Sequence, residues 1–225
     1  MPMDGIINLN KPPGISSAAA VAKVKRLLPR GVKIGHAGTL DPFATGVLLL
    51  LIGKATKLCE KLMDERKQYE ATVKFGATTA TLDPESEEVV DAHAKAVERK
   101  KVEAVLRKFV GDIQQRPPVY SALKIAGKAA YARARAGQEV ELEARPVEIY
   151  RMELVKYEWP MLQLRVDCGR GTYIRSIARD IGEEMGTKGY LTELKRTAVG
   201  EFKVEKAVSI DRLQSEGVAA FLQQL

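Results

Sequence analysis

Hydrophobic residues recur along this chain with two periods, one typical of strands and one of helices. Apolar and polar positions alternate from Tyr69 to Phe75 and from Leu162 to Cys168. This alternation predicts strands with one face on a core, as in an antiparallel sheet. The longest apolar run, Val47 to Ile52, is far shorter than the roughly 18 residues of a membrane helix. Because the N-terminus also has no basic region followed by an apolar stretch, we expect neither a membrane nor a secreted protein.

Three other segments repeat apolar residues at spacings of three and four, which predicts amphipathic helices. Their stripes are Val21, Val24 and Leu28; Val102, Val105, Leu106 and Phe109; and Ile174, Ile177, Ile181 and Met185. Ser16 or Ser17 is a candidate N-cap for the first helix, whose other side is basic. Strands and helices do not alternate regularly, so the pattern predicts an α+β fold with a mostly antiparallel or mixed sheet.

Composition adds a weak indication of the partner. The 225 residues include 36 Lys and Arg against 29 Asp and Glu, giving a formal net charge of +7. A moderately basic chain favours a polyanion such as nucleic acid without deciding it. The two cysteines and two histidines have no metal-ligand spacing, so we expect no metal, no disulfide and a reducing compartment.

Two charged stretches need separate interpretation. The segment 115–146 interleaves basic residues with tyrosines, which fits a nucleic-acid contact or, equally, an alanine-rich surface helix. The acidic stretch from Asp83 to Asp91 is expected to be a solvated connection into a helix.

The segment from Gly35 to Leu48 concentrates unusual residues. Its three glycines permit close backbone approach or positive φ, and Pro42 favours an extended Asp41. Such a loop can present a carboxylate to a ligand. A helix capped by Asp41, with Pro42 in its first position, is the structural alternative.

A second unusual segment runs from Cys168 to Arg175, where a predicted strand ends in a glycine turn that opens the third helix. Arg175 opposes the helix macrodipole, so we expect an anion beside it. Pairing with Asp41 would favour the ionised carboxylate. Cys168 could be a thiol nucleophile but shares the apolar phase of its strand, as a buried cysteine does. Tyr69 is likewise open to a core-packing interpretation.

Six ordered blocks resemble the TruB-type tRNA pseudouridine synthases. They are residues 8–14 (NLNKPPG), 35–48, Tyr69 with 79–83 (TATLD), 116–124 (RPPVYSALK), 171–175 (GTYIR), and 194–197 (LKRT) with 199–200. The chain departs from the family in having Pro84 where a glycine usually follows the acidic residue.

The resemblance implies a pseudouridine synthase fold, with a long sheet, flanking helices and a central active-site cleft. It implies isomerisation of uridine 55 in the TΨC loop of tRNA by base flipping. The residue roles that it implies are Asp41 as nucleophile or base, Arg175 as its ion-pair partner, Tyr69 stacking on uracil and as a candidate for proton transfer, Tyr173 and Leu194 lining the uridine pocket, His36 holding the T-loop, and Lys11 binding substrate.

These expectations extend to organisation and partners. We expect one catalytic domain over residues 1–225, with the basic segment 115–146 closing over the T-loop and no C-terminal PUA domain. The T-arm of tRNA is the expected partner of a cytoplasmic monomer without cofactor. An RNA-binding or tRNA-folding protein with vestigial catalytic residues is the main alternative.

Overall fold

The computed structural model describes residues 3–121, 123–125, 128–130, 133, 138, 140 and 142–224. Its strands are β1 (Gly5–Lys11), β2 (Ile34–Ala37), β3 (Thr45–Ile52), β4 (Lys67–Phe75), β5 (Ala77–Thr79), β6 (Glu88–Val90), β7 (Gly111–Gln115), β8 (Lys124–Ile125), β9 (Lys128–Ala129), β10 (Arg145–Glu158), β11 (Met161–Cys168), β12 (Gly189–Val199) and β13 (Phe202–Lys203). Its α-helices are α1 (Ser17–Lys25), α2 (Cys59–Asp64), α3 (Arg99–Lys108), α4 (Ile174–Glu184) and α5 (Ile210–Glu216). Short 3-10 helices cover Gly53–Leu58, Val204–Lys206 and Val218–Phe221.

Within the described residues, nine strands belong to one mixed sheet. β1 and β2 pair antiparallel with β3, whereas β12 pairs with β3 in parallel through Lys195 and Arg196. β5 with β6, and β8 with β9, form separate two-stranded sheets. The α+β class with a mixed sheet and flanking helices is therefore confirmed.

The described residues form two compact units. The first contains the chain up to Glu70 and from Leu194 onward, and the second contains Ala71–Glu193. The two boundaries fall within strands β4 and β12, so each of these strands contributes residues to both units.

In the first unit, strand β3 is buried on both faces. Leu48, Leu50 and Ile52 pack in a core cluster with residues of α1 and α5. Leu49 and Leu51 pack in a second cluster that includes Leu62 of α2. Burial on both faces explains why this strand is a continuous apolar run and does not alternate.

In the second unit, β10 pairs antiparallel with both β11 and β7, and two helices bury the predicted stripes. Val102, Val105 and Leu106 of α3 are buried, as are Ile177 and Ile181 of α4. Both helices are thus confirmed, as is α1, whose N-cap is Ser16 and whose last residue, Lys25, precedes the predicted Leu28.

Two predictions for charged stretches have different outcomes. The solvated connection is wrong in part, because Asp83 is buried at 1% exposure and Glu88 belongs to strand β6. Much of the basic segment, including Tyr131 and Arg135 and the side chains of Lys124 and Lys128, lies outside the described residues.

Candidate active site

The Asp41 loop, residues 38–44, connects strands β2 and β3 in the first unit. Gly38 has a φ of 85° and Gly46 a φ of 102°, in the left-handed region that favours glycine. The Ala44 N–H donates to the Asp41 carbonyl at 3.1 Å, which closes a turn. Strand β3 begins directly afterwards at Thr45, so the interpretation of Asp41 as a helix cap is wrong.

Arg196 of strand β12 holds the start of the Asp41 loop. Its side chain is 1% exposed, and its three nitrogens donate to backbone carbonyls. Nε donates to Val47 at 2.7 Å, Nη1 to Thr39 at 3.3 Å and Nη2 to Gly38 at 3.1 Å. One buried guanidinium therefore joins the loop to the strand that follows it.

Ser17 of helix α1 holds the residue before Asp41. The Leu40 N–H donates to Ser17 Oγ at 2.8 Å, and the same hydroxyl donates to the Leu40 carbonyl at 2.9 Å. Ser16, the preceding residue, performs the helix-capping role by accepting from the Ala19 N–H at 3.1 Å. The two neighbouring serines thus have distinct roles.

Lys11 binds the part of the loop that follows Asp41. Its side chain has 0% exposure, and Nζ donates to the carbonyls of Pro12, Ile15 and Pro42 at 2.8, 2.8 and 3.1 Å. The Gly14 N–H also donates to the Pro42 carbonyl, at 2.9 Å. These hydrogen bonds support a positioning role for the buried ammonium, and the predicted contact of Lys11 with substrate stays a prediction.

His36 is the residue of strand β2 two positions before the loop. Burial of the imidazole, reinforced by the positive charge of Arg196, lowers the pKa of His36 below its ordinary value of 6.5, and a hydrogen bond with the Gly38 backbone opposes this shift. The ring is therefore neutral near pH 7. A neutral ring suits stacking on RNA bases better than pairing with phosphate.

Tyr69 and Leu194 occupy inward positions of strands β4 and β12, with 8% and 7% exposure. The residues on both sides of Tyr69 and of Leu194 along their strands are exposed. For Tyr69 this agrees with the predicted alternation from Tyr69 to Phe75. Both side chains belong to the same unit as Asp41, Lys11 and His36.

In the second unit, Arg175 lies in the first turn of α4 with 4% exposure. Nη1 donates to the Thr81 carbonyl at 2.8 Å, and Nη2 donates to the Tyr120 carbonyl at 2.9 Å. Nη1 also lies 3.3 Å from Asp83 Oδ2, and both side chains of this ion pair are buried. The anion expected beside Arg175 is, within its own unit, Asp83.

Asp83 is itself fixed by the threonines of its block. Its carboxylate accepts from the Thr81 hydroxyl at 2.5 Å, and its peptide N–H donates to Thr79 Oγ1 at 3.0 Å. Leu82 lies between Thr81 and Asp83, which both contact Arg175, and has a φ of 61°. A leucine in the left-handed region is strained, so the surrounding contacts must hold this turn.

Tyr173 precedes α4 as its N-cap residue. The side chain of Gln115 accepts from the Tyr173 N–H at 2.8 Å and donates to the Tyr173 carbonyl at 3.1 Å. The guanidinium carbon of Arg145 lies 5.3 Å from the centre of the Tyr173 ring, a cation–π distance. Both the backbone and the ring of Tyr173 are therefore held in place.

Cys168, the alternative nucleophile, lies at the end of β11 with 1% exposure. Its burial agrees with its apolar phase and supports a packing role. Among the described residues, no group of histidine, cysteine and carboxylate side chains is placed to bind a metal ion. In this same part of the chain, no helix has the length and apolarity to span a membrane.

Sequence patterns did not identify four residues that hold the candidate site residues in place: Ser17, Asp83, Gln115 and Arg196. The sequence held a usable signal for Arg196, because it shares the buried phase of β12 with Leu194 and Ala198. A charged residue on an inward face requires a partner. Ser17 was recognised only as a possible cap.

Comparison with known proteins places the chain in a family. Residues 25–174 match the family model "TruB family pseudouridylate synthase (N terminal domain)", and residues 175–221 match "tRNA pseudouridylate synthase B C-terminal domain". This chain belongs to the TruB family of pseudouridylate synthases. The family and the isomerase class predicted from the motifs are thereby confirmed.

Curated relatives agree with this assignment. A "tRNA pseudouridine synthase B" of Aromatoleum aromaticum is 46% identical over 213 residues, covering 95% of this chain and 68% of the relative. A protein of the same name from Syntrophomonas wolfei is 45% identical over 214 residues, covering 93% of this chain and 71% of the relative.

Solved structures show the same fold. A Cbf5-Nop10-Gar1 complex matches with a TM-score of 0.73 and 30% identity, covering 97% of this chain and 58% of that chain. An H/ACA RNP bound to a substrate RNA containing 2′-deoxyuridine matches with a TM-score of 0.68 and 28% identity, covering 95% of this chain and 56% of that chain. The pseudouridine synthase fold is therefore confirmed.

Proposed function

We propose that this chain converts uridine 55 in the TΨC loop of tRNA to pseudouridine, with the Asp41 carboxylate as the reacting group. The observation that carries the proposal is the anchored Asp41 loop, which lies within the stretch matching the TruB family model. The relatives named tRNA pseudouridine synthase B support tRNA as the substrate.

The reaction moves the uracil within one nucleotide. The N1–C1′ bond breaks, the base rotates, C5 bonds to C1′, C5 loses its proton, and N1 gains one. Because no atoms or electrons are gained or lost overall, the isomerisation needs no redox cofactor. The base must leave the helical stack and be shielded while it is detached.

Asp41 can act in either of two ways. Its ionised carboxylate adds to C1′ as a nucleophile, or it removes a proton from the sugar to give a glycal intermediate. Both routes require a carboxylate held at a fixed distance from the ribose. The anchored loop backbone supports that requirement.

Arg175 is proposed as the ion-pair partner of Asp41 in the reactive complex. Its guanidinium is fixed by Asp83 and two backbone carbonyls, which leaves its orientation little freedom. A rigid cation near a carboxylate favours the ionised form that both routes need.

Four further predicted residues are proposed to bind the flipped nucleotide or the loop that carries it. Tyr69 stacks on the uracil and is a candidate for proton transfer, Leu194 and Tyr173 line the uridine pocket, and His36 holds the T-loop. Flat aromatic and apolar contacts suit an unstacked neutral base. We further expect a monomer that acts in the cytoplasm.

A T-arm transcript tests the proposed substrate. After incubation with the chain, carbodiimide labelling and reverse transcription are expected to detect pseudouridine at position 55. A transcript with cytidine at position 55 is the control and should remain unmodified. Binding of the T-arm without pseudouridine would contradict the proposal and favour the RNA-binding alternative.

A further inference from the structure

We infer that Ser17 and Arg196 are positioning residues, which fix the backbone of the Asp41 loop so that the carboxylate reaches the ribose in a reactive geometry. This inference rests on the proposed function, in which Asp41 is the reacting group. It assigns a role in turnover to two buried side chains that need not touch the RNA.

The first observation is that the contacts converge on residues next to Asp41. Arg196 binds the carbonyls of Gly38 and Thr39, and Ser17 binds both the N–H and the carbonyl of Leu40. The three residues preceding Asp41 are therefore each tied to a side chain from outside the loop.

The second observation concerns the cost of the Arg196 arrangement. A guanidinium with 1% exposure loses its hydration, and its hydrogen-bond partners are neutral carbonyls. An apolar side chain of similar volume would fill the same space without that desolvation cost. The arrangement is therefore better explained by the geometry it imposes on the loop than by packing alone.

The third observation separates Ser17 from ordinary helix capping. Ser16 already supplies the side-chain cap of α1, by accepting from Ala19. Ser17 is 2% exposed and directs its hydroxyl at Leu40 instead. Helix formation thus does not require the Ser17 hydroxyl, whereas the position of Leu40 depends on it.

Anchoring matters because the reaction is sensitive to distance. A displacement of about 1 Å between reacting groups can reduce the rate roughly 100-fold. Glycines at positions 38 and 46 permit the turn but do not restrict it, since glycine has the widest conformational freedom. The side-chain contacts supply the restriction that the glycines lack.

Ser17→Ala and Ser16→Ala form a matched pair for testing the inference. Each change removes one hydroxyl at the start of α1, but only Ser17→Ala removes contacts to the loop. Under single-turnover conditions with a T-arm transcript, we expect Ser17→Ala to slow conversion about 10-fold or more. Its Kd for the transcript should stay within about threefold of wild type. Ser16→Ala should retain the wild-type conversion rate.

Arg196→Lys extends the test to the second anchor. An ammonium keeps the charge but lacks the planar fork that spans separate carbonyls, so conversion should fall by a similar factor with Kd again nearly unchanged. Thermal unfolding identifies a variant that does not fold. In that case the Ser17 and Ser16 pair still decides the inference.

A readout independent of turnover is hydrogen exchange at the Leu40 amide, which donates to Ser17. Protection should be lost in Ser17→Ala and kept in Ser16→Ala. Unchanged conversion in Ser17→Ala, or equal slowing in both serine variants, would overturn the inference while the proposed function stands. Absence of pseudouridine with the wild-type chain would instead overturn the proposed function.

Discussion

At the scale of single residues, the ion pair of Arg175 and Asp83 is buried. Burial costs the two charges their hydration, and the pairing fixes the orientation of both side chains. Their side chains retain 5% and 2% of their exposure, so both charges have lost nearly all hydration. The Thr81 hydroxyl and the carbonyls of Thr81 and Tyr120 satisfy further hydrogen-bonding capacity of the pair. A pair so enclosed is strongly sensitive to the loss of either member.

Asp83→Asn is accordingly expected to destabilise the protein. Removing the carboxylate charge breaks the buried ion pair that Asp83 forms with Arg175, which should lower the free energy of unfolding by about 3 kcal/mol. Urea unfolding monitored by circular dichroism measures the change.

Glu103→Gln provides the control for Asp83→Asn. Glu103 pairs with Arg99 at 2.8 Å on the surface of α3, with side-chain exposures of 40% and 58%. Loss of this exposed pair should change stability by less than about 0.5 kcal/mol. Similar small effects of both substitutions would contradict the account of Arg175.

At the scale of elements, the parallel contact between β3 and β12 depends on Gly46. A Cβ added to Gly46 would lie 2.2 Å from the Arg196 carbonyl oxygen, far inside van der Waals contact. The φ of 102° adds strain for any other residue. The glycine thus allows β12, which carries Leu194 and Arg196, to pair closely with β3, the strand that follows the Asp41 loop.

Gly46→Ala should therefore lower the free energy of unfolding by more than about 2 kcal/mol, because the two backbones must separate. Gly35→Ala is the matched control, since no heavy atom lies within 4 Å of its added Cβ. The control is expected to stay within about 1 kcal/mol of wild type. Equal thermal stability of the two variants would refute the close-approach argument.

The sequence predicts elements better than it predicts their partners. The stripes of α3 and α4 and the alternation of β11 are local patterns, and each appears in the structure as expected. Strand β4 also alternates, except at Thr72, which is buried. Local patterns also predicted that Arg175 needs an anion. They could not identify Asp83, because the two residues are brought together only by tertiary folding.

For the Asp41 loop, too, the sequence predicts the local conformation but not the tertiary contacts. Its glycines predicted an unusual turn, and two of the three, Gly38 and Gly46, have the expected positive φ. The anchors Ser17 and Arg196 come from distant parts of the chain, with no sequence spacing that links them to the loop. Their hydrogen bonds are to backbone atoms, which leave no pattern of residue types.

At the scale of the whole molecule, the effect of the net charge of +7 on RNA binding depends on the positions of the basic side chains. Lys23, Lys25 and Arg26 are exposed at the C-terminal end of α1, the helix whose first residue binds Leu40. We propose that these side chains contact tRNA phosphates. Phosphate contacts make binding depend on salt, because they release counterions from the RNA.

Replacing Lys23, Lys25 and Arg26 by alanine should reduce the slope of log K against log salt concentration by about 2 for T-arm binding. Fluorescence anisotropy across a salt series measures the slope. A variant with Lys95, Lys100 and Arg107 replaced by alanine removes the same charge from exposed positions before and within α3. Equal loss of slope in both variants would show that net charge, not α1, determines the salt dependence.

The central claim is that Asp41 performs the chemistry, and single-turnover conversion by Asp41→Asn tests it most directly. The asparagine keeps the shape of the side chain but removes the carboxylate, so T-arm affinity should stay within about threefold of wild type while no pseudouridine forms. Asp64→Asn, at an exposed position of α2, is the control and should convert the transcript at the wild-type rate. Conversion by Asp41→Asn within tenfold of the wild-type rate would contradict the account.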